Sequence, residues 1–175
     1  MDLKRILSFS LVTLGLFYSS IFATGCSFTG GVPQWSGNGF IRKELLEYKK
    51  IAVLPFKGDA KDEASETFAQ TFQEKFETMA LVERKQLLEI FKERDLYPDQ
   101  LSEVTRRKIS EVFGVQALIM GNVYYPSILR WLLQVEIIDV ETGEIMGRST
   151  VEINYMGAEG VKEACRIAVQ NLRLK

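Results

Sequence analysis

Hydrophobic and polar positions recur with two different periods along this chain, and each period predicts a type of element. Residues 51–56 form a short continuous apolar run, which is typical of a central strand covered on both faces. In residues 62–79 the apolar positions recur every three or four residues, which places them on one face of a helix. These positions are Ala64, Phe68, Phe72, Phe76 and Met79. We expect this stripe to form a large part of the core, and we interpret it as packing and not as a ligand site.

The rest of the pattern predicts further helices and strands as far as the C-terminus. Helices are expected over residues 40–50, 85–95, 102–113 and from 159 onward. Strands are expected over residues 81–84, 115–124, 132–139 and 145–155. Together these elements predict one α/β (α+β) domain over residues 40–175, in which a mixed sheet of about four to five strands packs with helices.

Particular residues mark the ends of the predicted helices and one turn. Asp59 or Asp62 is placed to cap the helix over residues 62–79, and Ser102 caps the helix that Gly114 closes. Gly143 supplies the positive φ of a hairpin turn. The side chains expected to face the core from the other helices are Leu45, Leu46, Tyr48, Leu87, Leu88, Phe91, Val104, Ile109, Val112, Phe113, Val161, Cys165, Ala168 and Leu172.

The N-terminal stretch has the composition of a targeting segment. Lys4 and Arg5 precede an uncharged apolar run, and the run ends in the sequence Ala23-Thr24-Gly25-Cys26. Small residues before such a cysteine resemble the lipobox of bacterial lipoproteins, although Ala23 stands where Leu, Val or Ile is more usual. The resemblance implies a signal peptide over residues 1–25, cleavage before Cys26, and acylation of Cys26. An ordinary cleaved signal and an uncleaved membrane anchor are the alternatives.

The implied anchor predicts where the folded part lies. One acyl chain holds a protein to a bilayer only marginally, so stable retention takes at least two chains, and an acylated lipoprotein cysteine carries three. Ser27, in place of Asp, resembles the outer-membrane sorting pattern, so we expect the protein at the periplasmic face of the outer membrane. Residues 26–39 are rich in Gly and uncharged, which predicts a flexible tether and not a phosphate-binding loop. Trp35 is interpreted as a loose aromatic, a membrane-interface residue or a docking contact.

The composition of the chain lacks the side chains that most enzymes use for catalysis. The chain has no histidine and a net charge of −1, so the commonest general base and metal ligand are absent and nucleic-acid binding is not indicated. With Cys26 acylated, Cys165 is the only free thiol, and we expect it to be a buried small hydrophobe. We therefore expect no catalytic residue, no cofactor and no metal.

An enzyme without histidine would have to use carboxylates for catalysis. For each candidate carboxylate a structural role is the preferred interpretation. These candidates are Asp59, Asp62, Glu63 and Glu83. The two aspartates are better explained as helix caps, and Glu83 as a local contact with Arg84. The basic stretch Arg106–Lys108 is interpreted as a solvated helix face, with a docking patch for an acidic partner as the alternative.

Four landmarks in order resemble the CsgG/HfaB family of envelope lipoproteins over residues 48–173. They are IAVLPF at 51–56, Leu81-Val82-Glu83-Arg84 followed by Leu87-Leu88, the apolar segment Ala117–Gly121, and the segment Asp139–Ile145. LpoB-like activators of peptidoglycan synthases share much of this pattern. The resemblance implies an envelope protein that acts in assembly or secretion of a surface structure through protein–protein contacts.

The chain departs from the channel members of that family in two places. Those members insert two membrane-spanning hairpins per subunit, but only Tyr125–Trp131 separates two of the predicted strands, and the last strand passes at once into the last helix. The loop Lys57–Asp62 also lacks the aromatic and amide residues that narrow their lumen. We therefore predict a non-enzymatic module with unknown protein partners. A ring subunit of a secretion pore whose barrel comes from another chain, a homo-oligomer, and an LpoB-like activator are the alternatives.

Overall fold

A six-stranded mixed sheet organises the described part of the chain. The computed structural model describes residues 35–82, 84–93, 102–127, 130–153 and 158–175, all within the compact unit Pro33–Lys175. The strands are β1 (Trp35–Ile41), β2 (Lys50–Val53), β3 (Ala80–Leu81), β4 (Ala117–Ser127), β5 (Arg130–Asp139) and β6 (Ile145–Ile153). The helices are a 3₁₀ helix (Lys43–Glu47), α1 (Glu63–Lys75), α2 (Arg84–Glu93), α3 (Glu103–Phe113) and α4 (Ala158–Gln170). The predicted α+β class is confirmed, with more strands than the four to five expected.

The strand order places parallel and antiparallel pairs side by side. The order is β1-β6-β5-β4-β2-β3, with β2 parallel to both β3 and β4 and all other pairs antiparallel. The prediction that β2 is covered on both faces is confirmed, because its alternate residues enter two different clusters. Ile51 and Val53 pack with α1 and α4, whereas Ala52 and Leu54 pack with α2 and α3.

The phenylalanine stripe of α1 is the largest predicted core feature, and it is buried as expected. Phe68 and Phe72 have no exposed surface, and their rings stack with centroids 6.0 Å apart. Four other predicted core positions are instead exposed, namely Leu46, Leu88, Val104 and Val112. These helices pack through other residues, because Leu45, Leu87, Ile109 and Phe113 are among the side chains that they bury. The side chain of Phe91 lies outside the described part of the chain.

The predicted capping residues are largely in place. The Asp59 carboxylate accepts hydrogen bonds from the Ser65 amide at 3.0 Å and the Ser65 hydroxyl at 3.2 Å. Asp59 therefore caps α1 although it precedes the helix by several residues in the sequence. Ser102 accepts from the Thr105 amide, and Gly114 ends α3 in the left-handed conformation. The predicted positive φ of the turn glycine Gly143 is also confirmed, at 72°.

The interpretation of residues 35–39 as part of a flexible tether is wrong. These residues and the next two form β1, which pairs with β6 along its whole length. A Cβ atom at Gly37 would lie 2.4 Å from the Thr150 carbonyl oxygen, and one at Gly39 would lie 2.9 Å from the Asn171 carbonyl oxygen. The glycines therefore permit close packing, and they are not a sign of flexibility. The side chain of Trp35 lies outside the described part of the chain, so its three interpretations stay predictions.

Candidate functional site

The second face of β4, β5, β6 and β1 is largely free of helices in the described part of the chain. Residues of β5 that point to the other face are buried, and those on this face are partly exposed. Three cross-strand rows cross the face, and we call them together the open face. The rows are Tyr124–Leu132–Glu152, Asn122–Gln134–Thr150–Asn38 and Met120–Glu136–Arg148–Phe40.

The charges of the open face are paired with each other. Arg148 donates to the Glu136 carboxylate at 2.7 Å, and Arg130 is paired with Glu152. The middle row carries only neutral amide and hydroxyl groups, which can both donate and accept hydrogen bonds. The open face is therefore polar but has little unbalanced charge, and exposed ion pairs of this kind add little to stability.

A groove runs along the border between the open face and the end of β2. It has a volume of about 410 Å³, and its lining residues are Leu54, Pro55, Phe56, Lys57, Met120, Gly121, Asn122 and Tyr124. A second hollow of about 430 Å³ adjoins it and is lined by Tyr124, Tyr125, Leu132 and Gln134. Tyr124 belongs to both hollows and is 45% exposed, while Tyr125 is 55% exposed. Two tyrosines thus stand at the rim of one concave surface, a residue type that is enriched in protein interfaces.

The start of the loop Lys57–Asp62 is hydrogen-bonded to β4 beside this groove. The Lys57 amide donates to the Gly121 carbonyl at 2.8 Å, and the Val123 amide donates back to the Lys57 carbonyl at 2.7 Å. Gly58 has a positive φ of 79° at this point, and a Cβ atom there would lie 2.2 Å from the Val123 carbonyl oxygen. Lys57, the first residue of this loop, therefore pairs with β4, a role that the charged sequence of the loop did not indicate.

The four carboxylates considered for catalysis are not assembled into a site. Asp59 and Asp62 lie at the start of α1, where Asp59 caps the helix, and neither lines the groove. Glu63 opens the same helix, and Glu83 lies outside the described residues. In the described part of the chain, no three His, Cys, Asp or Glu side chains lie close enough together to hold a metal ion.

Cys165 is a buried packing residue, as predicted. Its Sγ atom donates to the Ala64 carbonyl at 3.3 Å, and the residue has no exposed surface. Burial, together with the negative charges of Asp59 and Glu63, raises the pKa of Cys165 to about 12. The thiol therefore stays protonated near neutral pH and is a poor nucleophile.

The basic stretch of α3 is divided among three surroundings. Arg107 pairs with Glu103 at 2.6 Å one turn earlier, and Lys108 is exposed. The guanidinium of Arg106 lies against Gly143, where a Cβ atom would come within 2.6 Å of it, and its buried Nε atom finds no hydrogen-bond partner among the described residues. Arg107 and Lys108 are exposed and Arg106 is partly buried, so the solvated face and the docking patch both stay predictions.

A partly buried hydrogen bond joins the segment before β2 to the end of β5. The Tyr48 hydroxyl donates to the Asp139 carboxylate at 2.5 Å, and the Thr142 amide donates to the other oxygen at 2.6 Å. Burial alone would raise the pKa of Asp139, but the hydrogen bonds from Thr142 and Tyr48 outweigh it and the pKa is lowered. Burial and the adjacent Asp139 raise the pKa of Tyr48.

The lipidation site Cys26 and the rest of residues 1–34 lie outside the described residues, so the predicted anchor stays a prediction. Among the helices that the structure describes, none combines the length and apolar character needed to cross a membrane.

The fold is shared with solved structures of other proteins, whereas no family model and no curated protein matches the sequence. The PelC dodecamer from Paraburkholderia phytofirmans is similar with a TM-score of 0.54 and 14% identity, over 81% of this chain and 100% of that chain. Lipoprotein GNA1162 from Neisseria meningitidis is similar with a TM-score of 0.52 and 15% identity, over 63% of this chain and 82% of that chain. At such identities the likeness shows the fold alone.

A weaker likeness concerns one of the predicted alternatives. The LpoB C-terminal domain from Salmonella enterica has a TM-score of 0.46 and 19% identity, over 58% of this chain and 79% of that chain. This TM-score is too low to support an argument, so an LpoB-like activator stays a prediction. The resemblance to the CsgG/HfaB family likewise stays a prediction, because one neighbour is a lipoprotein but the likeness does not reach beyond the fold.

The open face is the feature that sequence reasoning missed. The signal was present in residues 132–139, where Leu133, Val135 and Ile137 alternate with polar residues. This alternation indicates one solvated face, but it does not tell which strands continue that face or where a helix stops covering it.

Proposed function

We propose that this chain is a lipid-anchored, non-enzymatic protein of the cell envelope that acts through protein–protein contacts in the assembly or secretion of a surface or envelope structure. The observation that carries the proposal is the lipobox ending at Cys26, followed by a domain whose fold is shared with a solved lipoprotein. Ser27 after the cysteine favours the periplasmic face of the outer membrane as the location.

The open face is the proposed contact surface. Its ion pairs are satisfied within the face, so it favours a partner with little net charge over a strongly acidic or basic one. Tyr124 and Tyr125 provide large rigid side chains beside a groove, which is the arrangement that anchors many protein interfaces.

The anchor is tested by comparing the two cysteines of the chain. Cys26→Ala is expected to abolish labelling by a fatty-acid analogue and to move the protein from the membrane fraction to the soluble fraction. Cys165→Ala is the matched control, because it removes a thiol that lies inside the core, and it is expected to leave labelling and fractionation unchanged. Retention of Cys26→Ala in the membrane fraction would show that the anchor assignment is wrong.

The contact surface is tested by a photo-crosslinking residue placed at Tyr124, with the same residue at the exposed position Lys108 as the control. We expect one protein to be crosslinked from intact membranes in near-stoichiometric yield at position 124 and not at 108. Recovery of only unrelated proteins in trace yield at both positions would count against the proposal.

A ring-shaped assembly is the second candidate, with a barrel supplied by another chain. The favouring observation is that the solved PelC structures with this fold are dodecamers, at TM-scores of 0.54 and 0.52. This candidate predicts a large homo-oligomer in detergent extracts. A monomer by sedimentation at high protein concentration would eliminate it.

A further inference from the structure

The sheet has two edges, and they are protected very differently. Natural sheets blunt their edges with short strands, charged residues, proline or bulges, because an open edge pairs readily with another chain. The edge strand β3 is only two residues long. The other edge strand, β1, has seven residues, contains no charge and no proline, and pairs with β6 without a break in register.

The hydrogen bonds at the end of β1 show which of its backbone N–H and C=O groups point away from β6. The Ile41 amide donates to the Arg173 carbonyl at 2.8 Å, and the Lys175 amide donates to the Ile41 carbonyl at 3.0 Å, so both groups of Ile41 point away from β6. The Arg42 amide donates to the Met146 carbonyl and thus points towards β6. Since direction alternates along a strand, the outward groups are those of residues 35, 37 and 39.

In the described part of the chain, the C-terminal tail forms backbone hydrogen bonds with β1 only at the end of this edge, while Asn171 packs against Gly37 and Gly39 where their Cβ atoms would lie. Leu174 forms a bridge with Ile41, and the part of the chain that the structure describes places no strand beside residues 35–39. Gly37 is exposed to solvent. The N–H and C=O groups of Gly37 and Gly39 therefore form a short, open pairing template that ends where the tail begins.

We propose that this template pairs with the same strand of a second copy of the chain. In this antiparallel pairing a twofold axis passes beside Gly37, so that Gly37 faces Gly37 and Trp35 faces Gly39. Residues with outward groups then face each other and exchange their N–H···O bonds. The pairing ends before Ile41, whose outward groups the tail already uses.

Charge and symmetry favour a second copy as the occupant. The sequence has no charged residue between Arg5 and Arg42, so pairing like with like brings no like charges together within the strand. A twofold interface uses the same patch on both copies, so the single open edge is sufficient for it. The dimer would leave only the two-residue β3 at each edge of the joined sheet. This inference goes beyond the proposed function and does not depend on the lipid anchor.

The test uses the full chain, purified in detergent, with two lysine variants in one cross-strand row. Asn38→Lys places a charge on β1, which blocks edge pairing because each copy brings its charge to the shared edge. Gln134→Lys is the matched control, because it places the same charge in the same row but two strands further in. Sedimentation gives the oligomeric mass, and amide hydrogen exchange reports on Gly37 and Gly39.

We expect the unaltered chain and Gln134→Lys to contain the dimer and to exchange slowly at Gly37 and Gly39. We expect Asn38→Lys to dimerise at least about tenfold more weakly and to exchange at least about tenfold faster at those two glycines. The amides of residues 36 and 40 point towards β6 and serve as internal references. A monomeric unaltered chain, fast exchange of both glycines within an oligomer, or equal behaviour of the two variants would overturn the proposal. Loss of the cysteine-dependent membrane anchor, by contrast, would affect only the proposed function.

Discussion

Lys75 at the end of α1 donates a hydrogen bond from its Nζ atom to the backbone carbonyl of Leu172, 3.0 Å away. The same ammonium reaches the carbonyls of Val169 at 2.8 Å and Gln170 at 3.3 Å. The last carbonyls of an α-helix have no partner within the helix, and a cation at that end also interacts favourably with the helix dipole. One lysine thus joins the ends of two helices that are distant in sequence.

Lys75→Met keeps the aliphatic part of the side chain and removes these hydrogen bonds. We expect it to lower the free energy of unfolding by about 1–2 kcal/mol, because carbonyl groups at the end of α4 lose a charged donor. Urea denaturation measures the change. Lys108→Met, at an exposed position of α3, is the control and should stay within about 0.5 kcal/mol of the unaltered chain. Equal effects of the two variants would contradict this role of Lys75.

Gly121 in β4 is required by the ring of Phe56. A Cβ atom at Gly121 would lie 2.4 Å from Cγ of that ring, and Phe56 is buried. We expect Gly121→Ala to lower the free energy of unfolding by about 1–3 kcal/mol, the usual cost of overpacking. In a chain that already carries Phe56→Leu the same change should cost less, because the smaller side chain gives room. Strict additivity in this double-mutant cycle would rule out the contact as the cause.

The Tyr48–Asp139 hydrogen bond makes stability depend on pH. The pKa of Asp139 is lowered in the folded protein, so its contribution to stability is fully present above the unfolded value of about 3.9 and is lost as pH falls through the lower, folded value. We expect Tyr48→Phe to lower the free energy of unfolding by about 1 kcal/mol at pH 7 and by less when Asp139 is protonated. Denaturation curves at neutral and acidic pH measure this, with Tyr125→Phe as the exposed control. A pH-independent loss would contradict the assignment.

Two buried serines should respond oppositely to replacement by alanine. The Ser65 hydroxyl donates to the Asp59 carboxylate, whereas the Ser149 hydroxyl finds no hydrogen-bond partner among the described residues. We expect Ser65→Ala to cost about 1 kcal/mol, and Ser149→Ala to leave stability unchanged or to raise it by about 1 kcal/mol, because it removes an unpaired buried group. Thermal denaturation of both variants decides this. A large loss for Ser149→Ala would mean that its hydroxyl is paired.

The amino-acid sequence was sufficient to predict the elements whose signals are local. The phenylalanine stripe gave α1, the apolar run gave β2, and Ser102 with Gly114 gave both ends of α3. The burial of Cys165 also followed from its position on an apolar helix face. In each case a period or a cap of a few residues carries the information, and tertiary packing agreed with the local preference.

The tertiary structure alone decided the features that depend on distant partners. The glycine-rich composition around Gly37 and Gly39 predicted a flexible linker, yet the two glycines lie in an edge strand and pack against Thr150 and Asn171. Leu88 and Val104 were predicted to face the core, yet both are exposed because other residues of their helices, Leu87 and Ile109 among them, pack on the sheet. The open face exists because helices cover only part of one side of the sheet. Periodicity indicates which residues share a face, but only the packing of whole helices and strands determines what covers that face. The reason is that burial of apolar surface stabilises the fold only where another element removes that surface from water.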